Sequence, residues 1–365
     1  MQTQRHTGLD LLRSISMLLI ITLHALAHGG VLTAASATLP ALYAWTLEAL
    51  AYVGVNCYVL ISGYFLILAE FRVGRIARLW TQVFFYSIVL YIIAILFGAE
   101  SFSLVRTVKF LLPTLTRKYW FFTSYAALVL LSPFLNRLLR QLPKRAFCLL
   151  LAVLIVLFCV WPNLLAFSDL LPFGDGRSVI WFVTLYCIAA YIRLRPVEPR
   201  RGVCLAAYFG CALITVAEHF VYLRFLQGSA FAAAFGDAAE RLPTLFYTNN
   251  SVTVLVSSVA LFLFFRSLTV SGARVSRAVT HLASLTFGVY LIHDHESIRK
   301  WLWDALQLSD SADSARIVWL LPVACLAVFA VCLVIEQLRQ LLFRPLERAA
   351  FWDKPDERLR EYWKK

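Results

Sequence analysis

Charge is the scarcest ingredient of this chain. Only 15% of its 365 residues are Asp, Glu, Lys or Arg and 61% are hydrophobic, against roughly 25% charged and under 50% apolar in soluble domains. A mean hydropathy of +0.74 excludes a soluble globular domain and points to an all-α integral membrane protein. Metal-ligand and disulfide spacing are missing too. The eight cysteines, Cys57, Cys148, Cys159, Cys187, Cys204, Cys211, Cys325 and Cys332, all fall inside apolar runs, where a free thiol behaves as a small hydrophobe. Without a CxxC or a paired Cys/His spacing, neither a disulfide framework nor a metal is expected. No polar stretch is long enough for a core of its own. The expectation is one transmembrane domain, 1–343, followed by a tail, 344–365.

What fills the chain is a series of apolar stretches, each long enough for the roughly 30 Å of a bilayer's hydrocarbon. About ten are expected, near residues 9–28, 47–69, 79–97, 119–135, 146–161, 178–194, 202–223, 251–266, 281–296 and 316–338. With the N-terminus in the cytoplasm, 23 of the 34 Lys and Arg residues fall in inside segments and ten in outside ones, with Arg13 in the first span. This bias satisfies the positive-inside rule with both termini cytoplasmic in a multi-pass plasma-membrane protein. It also accounts for the +13 net charge without nucleic acid. Ala25-Leu26-Ala27 imitates a signal-peptide cleavage site, but Asp10 and Arg13 do not suit one. The tail, with Trp352 and Trp363, suits a short helix against the inner leaflet, and the segment around Leu104–Leu115 looks amphipathic enough for the outer interface.

Against this background the first span is unusual. Asp10, Arg13, His24 and His28 form a single polar stripe in an otherwise aliphatic helix. The eleven steps from Arg13 to His24 bring both within roughly 20° of one face, about 16 Å apart along the axis. Ionisable groups inside a membrane are costly and suggest function. Histidine is suited to general-base work near neutral pH. Arg13 stays charged and needs an anionic or carbonyl partner, for which Asp10 is a local candidate. From spacing alone, a structural ion pair with a hydrogen-bonded histidine fits as well as catalysis.

Three further constellations stand out. Arg72, Arg75 and Arg78 recur every three residues, a pattern that suits phosphate groups and equally suits lipid headgroups. On the preceding span, Ser62-Gly63-Tyr64 combines a glycine that permits close helix approach with two hydroxyls, and Glu48 lies near its outer end, open between an ion-pair partner and a substrate contact. Tyr119, Trp120 and Tyr125 begin the fourth span, where an aromatic belt accounts for them without any function. His293, Asp294, His295 and Glu296 crowd the end of the ninth, as solvated loop residues or a metal cluster, although i, i+2 spacing serves two ligands on one helix face poorly.

Taken together these segments resemble acyltransferase family 3, the membrane-bound acyl-CoA-dependent O-acyltransferases. The Arg-(ten residues)-His hallmark of the family is matched by Arg13 and His24 in GLDLLRSISMLLIITLH, its SGY-type signature by ISGYF, and its cytoplasmic RxxR by Arg72 with Arg75 or Arg75 with Arg78. The Trp120 region and FGVYLIH also look like family patterns. The resemblance spans the whole chain. It implies transfer of an acyl group, usually acetyl, from cytoplasmic acyl-CoA to a hydroxyl of a surface glycan or glycolipid. On that basis Arg72, Arg75 and Arg78 are expected to hold the CoA phosphates, Arg13 with Asp10 to orient the donor, and His24 to act as base or acyl carrier. Ser62, Tyr64 or Trp120 is expected to stabilise the oxyanion, with Glu48 and His293 as further substrate candidates. The rival class is a transporter or exporter of a polysaccharide or small solute built on the same membrane domain.

Overall fold

The computed structural model describes residues 6–34, 38–116, 118–164, 174–234, 236–347 and 352. Among these no strand occurs, and each of the ten expected apolar stretches is helical for nearly all of its length. Eight helical spans are long and apolar enough to cross a membrane, while Val179–Leu194 and Val252–Arg266 are apolar but shorter. The principal helices are α1 (Thr7–His28), α2 (Leu39–Ala51), α3 (Val53–Leu66), α4 (Val73–Leu96), α5 (Leu104–Leu111), α6 (Trp120–Gln141) and α7 (Lys144–Ile155). They continue as α8 (Val179–Leu194), α9 (Arg201–Val221), α10 (Val252–Arg266), α11 (Ala273–His293), α12 (Glu296–Leu306) and α13 (Ile317–Glu347).

The second span begins earlier than expected, at Leu39, because α2 runs almost straight into α3. Pro40 stands in the first turn of α2 behind the Thr38 cap, where a missing N–H costs nothing. This combined span is the most enclosed, with 78% of its apolar window buried, whereas Lys144–Asn163 has 11% and turns Leu149, Val153 and Val156 outward. Apolar exposure on this scale belongs against lipid.

α1 is the hub, packed on α2, α3, α10, α11 and α13. Its partner α3 runs antiparallel. Gly54 backs onto Ser16 and Ile20, and Tyr64, at the other end of α3, meets the ring of His6 at 6.1 Å. Gly63 of the ISGYF segment explains its own presence. A Cβ there would stand 3.0 Å from Ala189 Cβ and 3.1 Å from Tyr186 Cα of α8, so only a bare backbone lets the helices approach so closely. Carbonyls at the end of α3, which have no helical partner, are taken up from α6: Asn136 donates to Leu66 O at 2.9 Å and Arg140 to Ile67 O at 2.8 Å.

The amphipathic segment forms α5, which buries Phe110 and leaves Leu104, Val105, Val108 and Leu111 exposed, as an interfacial helix would. Of the tail, the expectation for 348–351 and 353–365 lies outside the described residues.

Candidate active site

Where α1 and α11 end, their last turns meet. His293, the final residue of α11, is completely buried, and its Nδ1 stands 2.6 Å from the Val289 carbonyl one turn back. A carbonyl only accepts, so in the neutral ring Nδ1 carries the hydrogen and Nε2 the lone pair. That Nε2 lies 2.9 Å from His24 Nδ1. His24 therefore donates through Nδ1, and its own lone pair is left on Nε2, a tautomer assigned from the bonding pattern. The three groups form a relay that sets a nitrogen base.

His24 also faces a narrow cavity of about 30 Å³, lined by Met17, Ile20, Val55, Tyr58, Trp120, Phe121, Phe287 and Tyr290. The space suits one or two waters. Its walls are apolar apart from His24, the Trp120 indole and the buried hydroxyls of Tyr58, beside Thr286, and Tyr290, beside the Phe121 backbone. A hydroxyl rotates freely, so either can turn to donate to a ligand atom in the cleft. Arg177 leans over the Trp120 ring, its guanidinium carbon 5.6 Å from the centroid. Asp294, just beyond His293, has Oδ1 3.9 Å from His24 Nδ1 and 3.1 Å from Arg299. One ligand atom each from His24, His28 and Asp294 lies within 4.8 Å of the other two.

The other half of the stripe serves the opposite end. Arg13 Nη1 is 3.6 Å from Asp10 Oδ1, and Thr280 of α11 donates to Asp10 Oδ2 at 3.0 Å. Thr280 in turn lines a cleft of about 480 Å³ with Thr7, Ser276, Arg277, His281 and Ser284. Eleven residues of helix, about 16 Å, separate Arg13 from His24, so the two cannot act on the same atoms.

The remaining predicted residues are scattered. Arg72 and Arg75 are exposed and Arg78 is half-buried at the start of α4, near the Arg13 end of the bundle, and none of them lines the Thr280 cleft. Beside their loop lies a second cleft of about 360 Å³ that includes Ala69, Phe71, Arg137 and Arg140. The Tyr64 hydroxyl accepts from Arg193 at 2.8 Å, and Ser62 donates to Tyr58 O at 2.9 Å. Both belong to the lower half of α3, away from His24. Glu48 is buried with Oε2 unpartnered, on the stretch of α2 that packs against α9, where Trp45, Ala49 and Tyr52 cluster with Tyr247. His295 is engaged with Ser87 O and Ser297 N, and Glu296 with Lys118.

The family model for the acyltransferase domain of family 3 matches residues 6–337. The chain belongs to acyltransferase family 3. It is an acyltransferase of the membrane. No curated protein and no solved structure matches it. The matched stretch includes every residue of the candidate site, from Asp10 to Asp294. Sequence reasoning did not pick out Tyr58, Tyr290 or the Val289 carbonyl. A faint signal existed for two: Tyr58 is one turn from Ser62 and Tyr290 one turn from His293, positions that share a helix face.

Proposed function

We propose that this acyltransferase moves a short acyl group, acetyl, from cytoplasmic acyl-CoA to a hydroxyl of a cell-surface sugar or glycopolymer at the plasma membrane. The observation that carries this reading is the relay from Val289 through His293 to His24, which leaves a base nitrogen beside a cavity that two buried tyrosines, Tyr58 and Tyr290, line. His24 Nε2 takes the proton of the acceptor hydroxyl as its oxygen bonds to the thioester carbonyl carbon. Tyr58, Tyr290 or Trp120 donates to the oxyanion that develops. The C–S bond then breaks, and the CoA thiolate leaves with the proton from the imidazolium.

The small volume of the cavity supports acetyl over a long chain. Arg13, held by Asp10 beside the Thr280 cleft, orients the donor arm as it enters along α1. Arg72, Arg75 and Arg78 take the CoA phosphates at the surface, through charge-assisted bonds. Loss of a general base costs about 10²–10⁴-fold in rate. Purified His24→Ala protein, eluting as a monodisperse species like wild type, is expected to lose transfer from acetyl-CoA to a glycan acceptor to that extent. Transfer within tenfold of wild type overturns the assignment.

A further inference from the structure

Three metal-ligating side chains meet at the end of α1, and the proposed reaction uses one of them. His24 and His28 stand one turn apart, with ring centroids 5.3 Å from each other, and Asp294 arrives from the end of α11. Their nearest ligand atoms all lie within 4.8 Å of one another. A four-residue spacing sets two imidazoles on one helix face, and the carboxylate completes a set of two histidines and one aspartate. Tetrahedral Zn²⁺ holds such atoms at about 2.0–2.2 Å, which puts them about 3.4 Å apart. Side-chain rotation has to close the triangle by about 1.4 Å at most. The nitrogen of His24 that faces Asp294 is Nδ1, 3.9 Å from Oδ1, so the ion competes there with the hydrogen bond from Nδ1 to His293 Nε2.

We propose that His24, His28 and Asp294 form a binding site for a divalent transition cation of the Zn²⁺ kind, and that its occupation inhibits acyl transfer. Imidazole and carboxylate together suit this class better than Mg²⁺ or Ca²⁺. Inhibition follows because an ion on Nδ1, the nitrogen 3.9 Å from Asp294 Oδ1, moves the ring hydrogen to Nε2 and leaves no lone pair there to remove the acceptor proton. That half of the proposal rests on His24 as base, and binding does not. Opposing the ion are Arg299, paired with Asp294 at 3.1 Å, and the exposed Arg177. Arg299 is 35% exposed and has room to turn outward, so the cation replaces it as the counter-charge of Asp294. Affinity is accordingly held down by Arg299.

The test uses the full chain in detergent, stripped with EDTA, titrated with Co²⁺ and followed by visible d–d absorption, then by displacement with Zn²⁺. One Co²⁺ per chain is expected. Second-shell losses alone weaken metal sites about 10–100-fold, so His28→Ala is expected to weaken binding at least tenfold. Arg299→Gln is expected to tighten it, and His281→Ala, at the other end of α11, to leave it unchanged. In transfer assays Zn²⁺ inhibits wild type, EDTA restores it, and His28→Ala keeps basal activity while needing at least about tenfold more Zn²⁺. Equal Co²⁺ affinity in wild type and His28→Ala, or no spectrum in either, overturns the site. Co²⁺ binding as expected with transfer untouched by Zn²⁺ leaves the site standing and removes His24 as the base.

Discussion

Two helical glycines, Gly288 and Gly210, should respond to the same substitution with opposite signs. At Gly288 of α11 a Cβ would fall 2.3, 2.4 and 2.5 Å from Oε2, Cδ and Cγ of Glu336. Those are distances at which something has to move, and Glu336 is poorly placed to move. It is fully buried and accepts from Tyr86 at 2.7 Å, Gln82 at 3.1 Å, Gln340 at 3.0 Å and Arg339 at 2.8 Å through both carboxylate oxygens. Hydrogen bonds to charged groups contribute about 1.5–3 kcal/mol each, and breaking a buried pair costs about 3–5 kcal/mol. Displacing the carboxylate should therefore destabilise Gly288→Ala by about 3–5 kcal/mol. At Gly210 of α9 nothing lies within 4 Å of the added methyl, and relief of the glycine penalty should stabilise by up to about 1 kcal/mol. The assay is the fraction of monodisperse protein recovered after heating in detergent, read by size exclusion. A midpoint roughly 5–10 °C below wild type is expected for Gly288→Ala, with Gly210→Ala at or above wild type. If the two variants melt within about 1 °C of each other, the Glu336 network does not hold α11 against α4 and α13 as argued.

Replacing His293 should slow transfer without unfolding the chain, since it removes the acceptor that fixes the His24 tautomer. Two bonds of about 1 kcal/mol each amount to roughly 30-fold in kcat, and His293→Gln, which keeps an acceptor, should recover part of this; equal rates in wild type and His293→Ala would dismiss the relay. Joint replacement of Arg72, Arg75 and Arg78 by alanine should raise KM for acetyl-CoA with little change in kcat, and a fall in kcat alone would remove them from the phosphate site.

Much of the architecture was legible from hydropathy alone. Apolar length and 3.6-residue periodicity are local properties, and the ten stretches became helices because a lipid environment leaves a chain no other way to satisfy its backbone. The stripe on α1 was legible for the same reason, since eleven residues of one helix fix the relative direction of Arg13 and His24. The Ser62 and Tyr64 candidates show the limit of that logic. Their hydroxyls looked available in ISGYF, but antiparallel packing of α3 on α1 carries them toward the His6 end, where Arg193 binds Tyr64, and brings Tyr58 to His24 instead.

By itself the sequence determined that this is an all-helical membrane protein of acyltransferase family 3 and that one helix carries a line of ionisable groups. Only the tertiary structure decided what those groups do to one another. His24 and His293 are 269 residues apart in the chain, so no periodicity relates them, yet their contact settles which nitrogen of His24 keeps its lone pair. The same holds for the cation site. Spacing within any single segment argued against a metal, because the set needs two ligands from α1 and a third that only the packing of α11 supplies.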